Sequence, residues 1–235
     1  MSYPRGAGVP RSAPAQLRFE FIVEDSFRAR SKAIDRYLDA SRDKYLSMGQ
    51  MIAPDLGNWT QVYSRAAFAI LSANVPFDFA VKALAYVNRH KGDVTPRGIA
   101  PYGMVPAKAN YVNAIPVGKG CLTWCRQGKE TCHAHRLRLW KSVNGLGLCK
   151  ASFLSALLEP LDADVACVDT HMQTVYLSTS GFKRLNLSTY LEVEAKVRQV
   201  AERHHIGTFI AQWAIWDHTR GSLTDHAVFP GTHKG

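Results

Sequence analysis

Segment 143–147 (VNGLG) holds residue types that suit binding of an anion. Gly145, Leu146 and Gly147 form a Gly-x-Gly turn, and glycine opens backbone conformations that other residues avoid. A helix that starts directly after such a turn exposes N–H groups that favour a phosphate, and Lys150 adds positive charge nearby. The pattern predicts a phosphate site, although an ordinary tight corner between two helices has the same sequence.

Asp169 follows directly after the apolar run 165–168 (VACV). Burial beside apolar residues raises the pKa of a carboxyl group unless hydrogen bonds or cations compensate. A carboxylate tuned in this way suits a general base or the stabilisation of a cation. Asp169 is also placed to cap a following helix, and the two roles are compatible.

Three of the five cysteines form a C-x3-C-x6-C pattern at Cys121, Cys125 and Cys132, with His133 and His135 directly after it. These residue types bind zinc or an iron–sulfur cluster, but the tight C-x2-C pairs usual in such sites are missing. Free thiols are therefore the favoured interpretation, and neither a metal nor a cofactor is expected. An odd number of cysteines in a chain of this size indicates a reducing cytoplasm.

The composition predicts a folded protein of one medium domain or two small lobes. The chain has 235 residues, 46% of them hydrophobic and 20% charged, which excludes wholesale disorder. It contains no apolar stretch long enough to span a bilayer, and its first residues lack the apolar core of a signal peptide. We therefore expect a cytoplasmic protein with no membrane partner.

The net charge of +10 is concentrated in one part of the chain. Segment 82–150 has 12 Lys or Arg residues against Asp93 and Glu130, so it alone carries the whole excess. Such a concentration favours a polyanionic partner, most often nucleic acid. A basic surface that only maintains solubility is the alternative.

The elements that must position these residues are predicted to be helices. Apolar residues recur at helical spacing, and convincing strand alternation is absent. We expect a flexible tail over residues 1–15 and a single all-α domain over 16–235. The predicted helices span 26–48, 60–73, 77–89, 107–115, 131–143, 150–158, 187–205 and 208–218.

Four segments, in the right order, resemble the helix-hairpin-helix DNA glycosylases typified by endonuclease III. Segments 143–147 (VNGLG) and 168–171 (VDTH) are similar to the hairpin and to the catalytic Val-Asp-Thr-His of that family. Segment 70–74 (ILSAN) resembles its Leu-Ser-Ala-Gln motif, and 103–112 (GMVPAKANYV) resembles a Gly-x4-Lys-Ala helix. The resemblance implies a two-lobed helical bundle with the active-site cleft between the lobes, a hairpin at about 136–158 and a catalytic loop at 165–172.

Carried over by position, the resemblance makes Asp169 the catalytic carboxylate and double-stranded DNA the partner. Asn74 then stands where the family places a residue that fills the gap left by a flipped base. His171 and Cys149 are pocket candidates. The implied DNA-binding residues are Gly145, Leu146, Gly147, Lys150, Asn74 and Lys108.

The sequence departs from the bifunctional members of the family at two points. Their Schiff-base lysine lies two residues after the second hairpin glycine, where this chain has Cys149, with Lys150 one residue later. Their four-cysteine cluster is also missing, since no cysteine follows Cys167. These departures argue against lyase chemistry.

The resemblance extends to a divergent bacteriophage branch of this superfamily, whose enzymes hypermodify thymine in DNA. Membership of this branch is our main expectation. Enzymes of this branch attach an amino acid such as glycine to phosphorylated 5-hydroxymethyluracil in DNA with loss of phosphate, and so protect viral DNA from host restriction. The expected partners are then DNA and an amine donor, in the host cytoplasm. The alternatives are a monofunctional DNA glycosylase that excises a damaged or modified base, and a DNA-binding module without catalysis.

Overall fold

The structure, a computed structural model, describes residues 15–177 and 183–221, with side chains from residue 29 onward. Within these ranges the chain forms ten α-helices and two 3-10 helices, Ala100–Tyr102 and Gly118–Trp124, and no strand. The prediction of an all-α fold is confirmed. The α-helices are α1 (Ala15–Ile52), α2 (Trp59–Leu71), α3 (Phe77–Arg89), α4 (Pro96–Ile99), α5 (Ala107–Asn113), α6 (Cys132–Ser142), α7 (Leu148–Leu158), α8 (Thr170–Leu177), α9 (Leu187–Arg203) and α10 (Thr208–Arg220).

The helices form two lobes. Helices α2 to α7 pack on one another in the first lobe, and α1 packs with α8, α9 and α10 in the second. Helix α2 is the centre of the first lobe, because every residue from Val62 to Leu71 is buried. Its sequence is apolar on nearly all faces, as a helix surrounded by other helices requires.

Most predicted helices occur within a few residues of their predicted bounds, and α3 has the bounds predicted. Helix α1 differs most, since it begins at Ala15 and not at Ser26. The short helix α8 follows Asp169 directly, as the capping interpretation of that residue requires. The predicted tail lies outside the described residues except for Ala15, which is helical.

None of the described helices combines the length and the apolar composition needed to cross a membrane.

Candidate active site

A cavity of about 530 Å³ lies between the two lobes. This volume is within the range of sites that enclose a small molecule or a single base. Most of the residues singled out from the sequence line it: Asn74, Gly145, Gly147, Cys149, Lys150, Asp169 and His171. The fold therefore brings residues that lie up to 97 positions apart to one place.

The hairpin turn between α6 and α7 forms one edge of the cavity. Gly145 has a φ of +87°, and a Cβ atom there would lie 2.5 Å from Cγ of Tyr111. Both the backbone conformation and the packing thus require glycine at this position. Leu146 is buried and anchors the turn in the core.

Gly147 is the N-cap of α7, and no side chain caps the first turn of that helix. The N–H groups of this turn are therefore open to an anion such as a DNA phosphate. A Cβ atom at Gly147 would have no neighbour within 4 Å, so the surface beside it is free for close approach of a partner.

Asp169 faces the cavity and also caps α8. Its Oδ1 accepts hydrogen bonds from the backbone N–H groups of His171 and Met172, each at 3.0 Å. Burial raises the pKa of the Asp169 carboxyl group, while these N–H groups and the nearby Lys150 act in the opposite direction. The result is a half-buried carboxyl group with a pKa above its ordinary value, as the adjacent apolar run suggests.

The loop that carries Asp169 is held by side chains of α9 and α10. The N–H of Ala166 donates to Oε2 of Glu194 at 2.9 Å, and the N–H of Cys167 donates to Oε1 of Gln212 at 2.6 Å. The Tyr190 hydroxyl accepts from the N–H of Val168 at 3.2 Å and donates to the carbonyl of Ala166 at 2.7 Å. Three consecutive backbone amides are therefore fixed by side chains.

Sequence reasoning missed this group of positioning residues. Glu194 is buried and forms an ion pair with Arg136, which is also buried. One sequence signal was present, since Glu194 interrupts the apolar face that Tyr190, Val193 and Val197 form on α9. A charged residue on a buried helix face requires a partner, and here the partners are Arg136 and the backbone of the loop that carries Asp169.

Lys150 and Cys149 both line the cavity, although consecutive helical residues project about 100° apart. The Lys150 ammonium donates to the Ser72 hydroxyl at 3.0 Å and lies 4.9 Å from the centre of the Phe153 ring. Both contacts stabilise its positive charge. The Cys149 Sγ lies 3.1 Å from the Cys167 Sγ.

Asn74 lies in the turn between α2 and α3, at the rim of the cavity. Its φ of +55° is in the left-handed region, which asparagine tolerates better than most residues. Its side chain is exposed beyond the C-cap of α2, which is Ser72.

The position of Lys108 differs from the one expected for a residue that contacts DNA. Its side chain is buried, and Nζ donates to the carbonyls of Leu71 at 2.6 Å and Ala73 at 2.5 Å. Burial lowers the pKa of Lys108 to about 8. The residue satisfies carbonyls at the end of α2 and so supports the turn that carries Asn74.

Aromatic rings form much of the cavity wall. Trp216 lies 5.6 Å from Phe77 and 5.8 Å from His171 between ring centres, and the Arg220 guanidinium lies 4.2 Å from the Trp216 ring. These residues pack on one another and also offer faces to a ligand. The aromatic lining residues are Phe68, Phe77, Phe153, Phe209, Trp213 and Trp216.

Cys121, Cys125 and Cys132 are buried free thiols. Burial raises the pKa of Cys121 to about 12, which disfavours the thiolate that a metal binds. Both ring nitrogens of His135 are engaged, with the Trp124 carbonyl at 2.8 Å and the Ser155 hydroxyl at 3.0 Å. Among the described residues, no group of three or more His, Cys, Asp or Glu side chains is arranged to hold a metal ion.

Part of the positive charge of segment 82–150 is neutralised within the protein. Arg126 pairs with Glu159 at 2.8 Å, Arg138 pairs with Glu130 at 2.9 Å, and Arg136 pairs with Glu194. Lysines such as Lys119, Lys129 and Lys141 remain exposed. The charge available to a nucleic acid is therefore smaller than the count from the sequence.

Neither the models of known protein families nor the curated proteins give a match to this chain. Solved structures do. The 8-oxoguanine glycosylase/lyase of Methanocaldococcus jannaschii, in complex with a 15mer DNA containing 8-oxoguanine, aligns with a TM-score of 0.69 at 16% identity, over 82% of this chain and 100% of that one. The 8-oxoguanine DNA glycosylase of Thermotoga maritima aligns with a TM-score of 0.69 at 17% identity, over 85% of this chain and 100% of that one. The protein therefore has the two-lobed, all-helical fold of the helix-hairpin-helix DNA glycosylases.

Proposed function

We propose that this protein binds double-stranded DNA and breaks the N-glycosidic bond of a damaged or modified base that is rotated into the cavity. The observation that carries the proposal is that one cavity is lined by the Asp169 carboxyl group, by both hairpin glycines and by six aromatic side chains. A flipped base needs an anion-binding turn for its backbone, flat apolar surfaces for its ring and a polar group for the chemistry.

In this proposal the ionised Asp169 side chain is the catalytic group. Departure of the base leaves positive charge on the sugar, which a carboxylate stabilises, and the same carboxylate activates the water that replaces the base. The hydrogen bonds to Ala166, Cys167 and Val168 hold the loop in place, so the carboxylate needs little reorganisation during the reaction.

The remaining residues then position the DNA. The N–H groups at the start of α7 bind a backbone phosphate, with Lys150 nearby. Asn74, exposed at the rim, enters the duplex and fills the space that the flipped base leaves. Solved structures with this fold include a glycosylase/lyase in complex with DNA that contains 8-oxoguanine, which supports base excision as the class of reaction.

A second candidate is the thymine-hypermodifying transferase. The specific observation in its favour is the composition of the cavity, where the Lys150 ammonium lies near the Asp169 carboxyl group in a volume of about 530 Å³. Asp169 takes a proton from an amino acid ammonium group, and the free amine attacks the exocyclic methylene of phosphorylated 5-hydroxymethyluracil. A C–N bond forms, the C–O bond breaks, and phosphate leaves towards Lys150.

The two candidates are separated by the fate of the base. We would incubate the protein with duplexes that contain 8-oxoguanine, uracil or phosphomethyluracil, the last with a mixture of amino acids. The supernatant is analysed for free base, and the DNA is digested to nucleosides for mass spectrometry. Free base with abasic sites establishes the glycosylase, and a nucleoside that has gained an amino acid and lost phosphate establishes the transferase.

The same experiment tests for a DNA-binding module without catalysis. DNA binding with no change in any of the duplexes would overturn both enzymatic proposals. A semi-buried carboxyl group beside a phosphate site argues against such a module, because it repels DNA, and an uncharged Asn or Ser would cap α8 equally well.

A further inference from the structure

Two cysteine side chains meet at the wall of the cavity. Cys149 belongs to the first turn of α7, and Cys167 belongs to the loop two residues before Asp169. Their sulfur atoms lie 3.1 Å apart, and both residues line the cavity. Neither proposed reaction uses a thiol, so this pair needs a separate explanation.

The pair is placed for formation of a disulfide. A disulfide bond is about 2.05 Å long, so the two sulfur atoms need to approach by only about 1 Å. Cys149 is half-buried, while Cys167 is almost fully buried, and its backbone N–H is held by Gln212. A small oxidant that enters the cavity therefore meets Cys149 first, with a second thiol beside it.

We propose that Cys149 and Cys167 form a reversible oxidation site, at which a hydroperoxide converts the two thiols into a disulfide. The Cys149 sulfur attacks the O–O bond of hydrogen peroxide, which gives a sulfenic acid and one molecule of water. The Cys167 sulfur then displaces the hydroxyl group, which leaves as a second water with the thiol proton. Two thiols and one peroxide thus give one disulfide and two waters.

The order of these steps follows from the surroundings of the two thiols. The hydrogen bond with Cys149, together with burial, raises the pKa of Cys167, so its thiol is the less reactive of the two towards the peroxide. Its sulfur atom lies 3.1 Å from that of Cys149 and is therefore in place to attack the sulfenic acid once this has formed. Cys149 is the more accessible sulfur and reacts first. The other cysteines do not line the cavity, and all three are buried.

The disulfide links the start of α7, next to the hairpin, to the loop that carries Asp169. Closing the 3.1 Å between the two sulfur atoms to a bond draws these two elements together. A misplacement of about 1 Å in an active site can lower an enzymatic rate by about 100-fold. We infer that oxidation turns off the reaction and that a reductant restores it. This consequence rests on the proposed function, whereas formation of the disulfide does not.

The chemical step is tested on the full chain with hydrogen peroxide. The treated protein is quenched with an alkylating reagent, digested without reduction and analysed by mass spectrometry. We expect a cross-linked peptide that joins Cys149 to Cys167. Its mass should be two hydrogen atoms below the summed masses of the two reduced peptides, and dithiothreitol should abolish it. Cys125→Ser is the matched control and keeps the cross-link, while Cys149→Ser loses it. Sulfinic acid at Cys149 without a cross-link, cross-links to other cysteines, or no modification would overturn the proposal.

The consequence is tested by product formation in the same samples. Peroxide should lower the rate of the Cys125→Ser protein by at least about 10-fold, with recovery in dithiothreitol. Each variant is compared with its own untreated sample, and Cys149→Ser should lose much less of its rate. A cross-linked protein that retains full activity would overturn the inhibition. If the reduced protein acts on none of the DNA substrates, the proposed function fails while the mass spectrum still decides the disulfide.

Discussion

The Lys150 ammonium donates a hydrogen bond to the Ser72 hydroxyl at 3.0 Å, and this bond links the first turn of α7 to the C-cap of α2. Lys108 binds the carbonyls of Leu71 and Ala73 in the same turn. Two lysines thus hold the turn that presents Asn74 at the rim, one of them buried and the other in the cavity. The relationship explains why the pKa of Lys108 is lowered by burial and further by Lys150.

Lys150 is expected to bind DNA electrostatically and not to form a Schiff base. The Lys150 side chain is held by the Ser72 hydroxyl at 3.0 Å and by the Phe153 ring, and it stands one residue after the position of the Schiff-base lysine in the bifunctional glycosylases that the sequence resembles. Sodium borohydride should therefore trap no covalent complex with DNA. Lys150→Gln should weaken DNA binding. In a salt titration, the slope of the logarithm of the binding constant against the logarithm of the salt concentration should become smaller by about one. Lys32→Gln, at an exposed site on α1 outside segment 82–150, is the control. A trapped complex that disappears in Lys150→Gln would make Lys150 the nucleophile.

The two hairpin glycines should respond differently to alanine. Gly145→Ala places a Cβ atom against Tyr111 at a φ of +87°, so we expect a loss of stability of roughly 1–3 kcal/mol. Gly147→Ala meets no protein atom within 4 Å and should lower the melting temperature only slightly, because alanine is a poorer N-cap than glycine. It should nevertheless weaken DNA binding, because the added methyl group stands where the phosphate approaches. Thermal unfolding and fluorescence anisotropy measure the two effects, and normal DNA affinity in Gly147→Ala would remove the hairpin from the DNA interface.

Asp169→Asn should abolish product formation while DNA affinity stays the same or increases. The amide keeps the oxygen that caps α8, but it is a much weaker base and cannot carry the negative charge, so a rate loss of at least about 100-fold is expected. Asp93→Asn, at an exposed site, is the control. Single-turnover kinetics and anisotropy with the same duplex measure both quantities, and an active Asp169→Asn protein would exclude this carboxylate from the mechanism.

The same substitution should change how stability depends on pH. Because the folded protein raises the pKa of Asp169, it binds the proton more tightly than the unfolded chain does. The stabilisation from this proton is present below the ordinary pKa of 3.8 and is lost as the pH rises through the higher value in the folded protein. Asp169→Asn should therefore melt at a higher temperature than the wild type at about pH 8, with the difference shrinking towards about pH 4. Equal melting temperatures at both pH values would contradict a raised pKa.

Tyr190→Phe tests the positioning of the loop that carries Asp169. Removal of the hydroxyl leaves the N–H of Val168 and the carbonyl of Ala166 without this partner, at a cost of about 1–3 kcal/mol. We also expect a lower rate of the chemical step at saturating DNA, with little change in DNA affinity, since Tyr190 does not line the cavity. Tyr86→Phe, which loses only a 3.5 Å hydrogen bond to Thr95, is the control. A purely structural role would lower stability and leave the single-turnover rate of the folded protein unchanged.

Local sequence alone predicted most helices and several of the cavity-lining residues. Gly145, Gly147 and Asp169 are recognisable because their roles depend on local properties: a left-handed φ, an uncapped helix start and a carboxyl group after an apolar run. The helix bounds follow for the same reason, since caps and apolar periodicity are local. Helix α3 has the bounds that the pattern predicts.

Only the tertiary structure decided the properties that depend on distant partners. It placed Lys108 in the interior, where its ammonium binds the carbonyls of Leu71 and Ala73 at the end of α2 and in the turn that follows. A sequence pattern does not distinguish that position from a DNA contact. It brought Glu194, Tyr190 and Gln212 to the backbone of a loop that precedes them in the chain by 20 residues or more. It also set Cys149, in the first turn of α7, beside Cys167, which follows 18 residues later in the chain. Burial and contact between elements arise from packing, so local sequence specifies the helices while the pairing of these side chains is settled only when the helices meet.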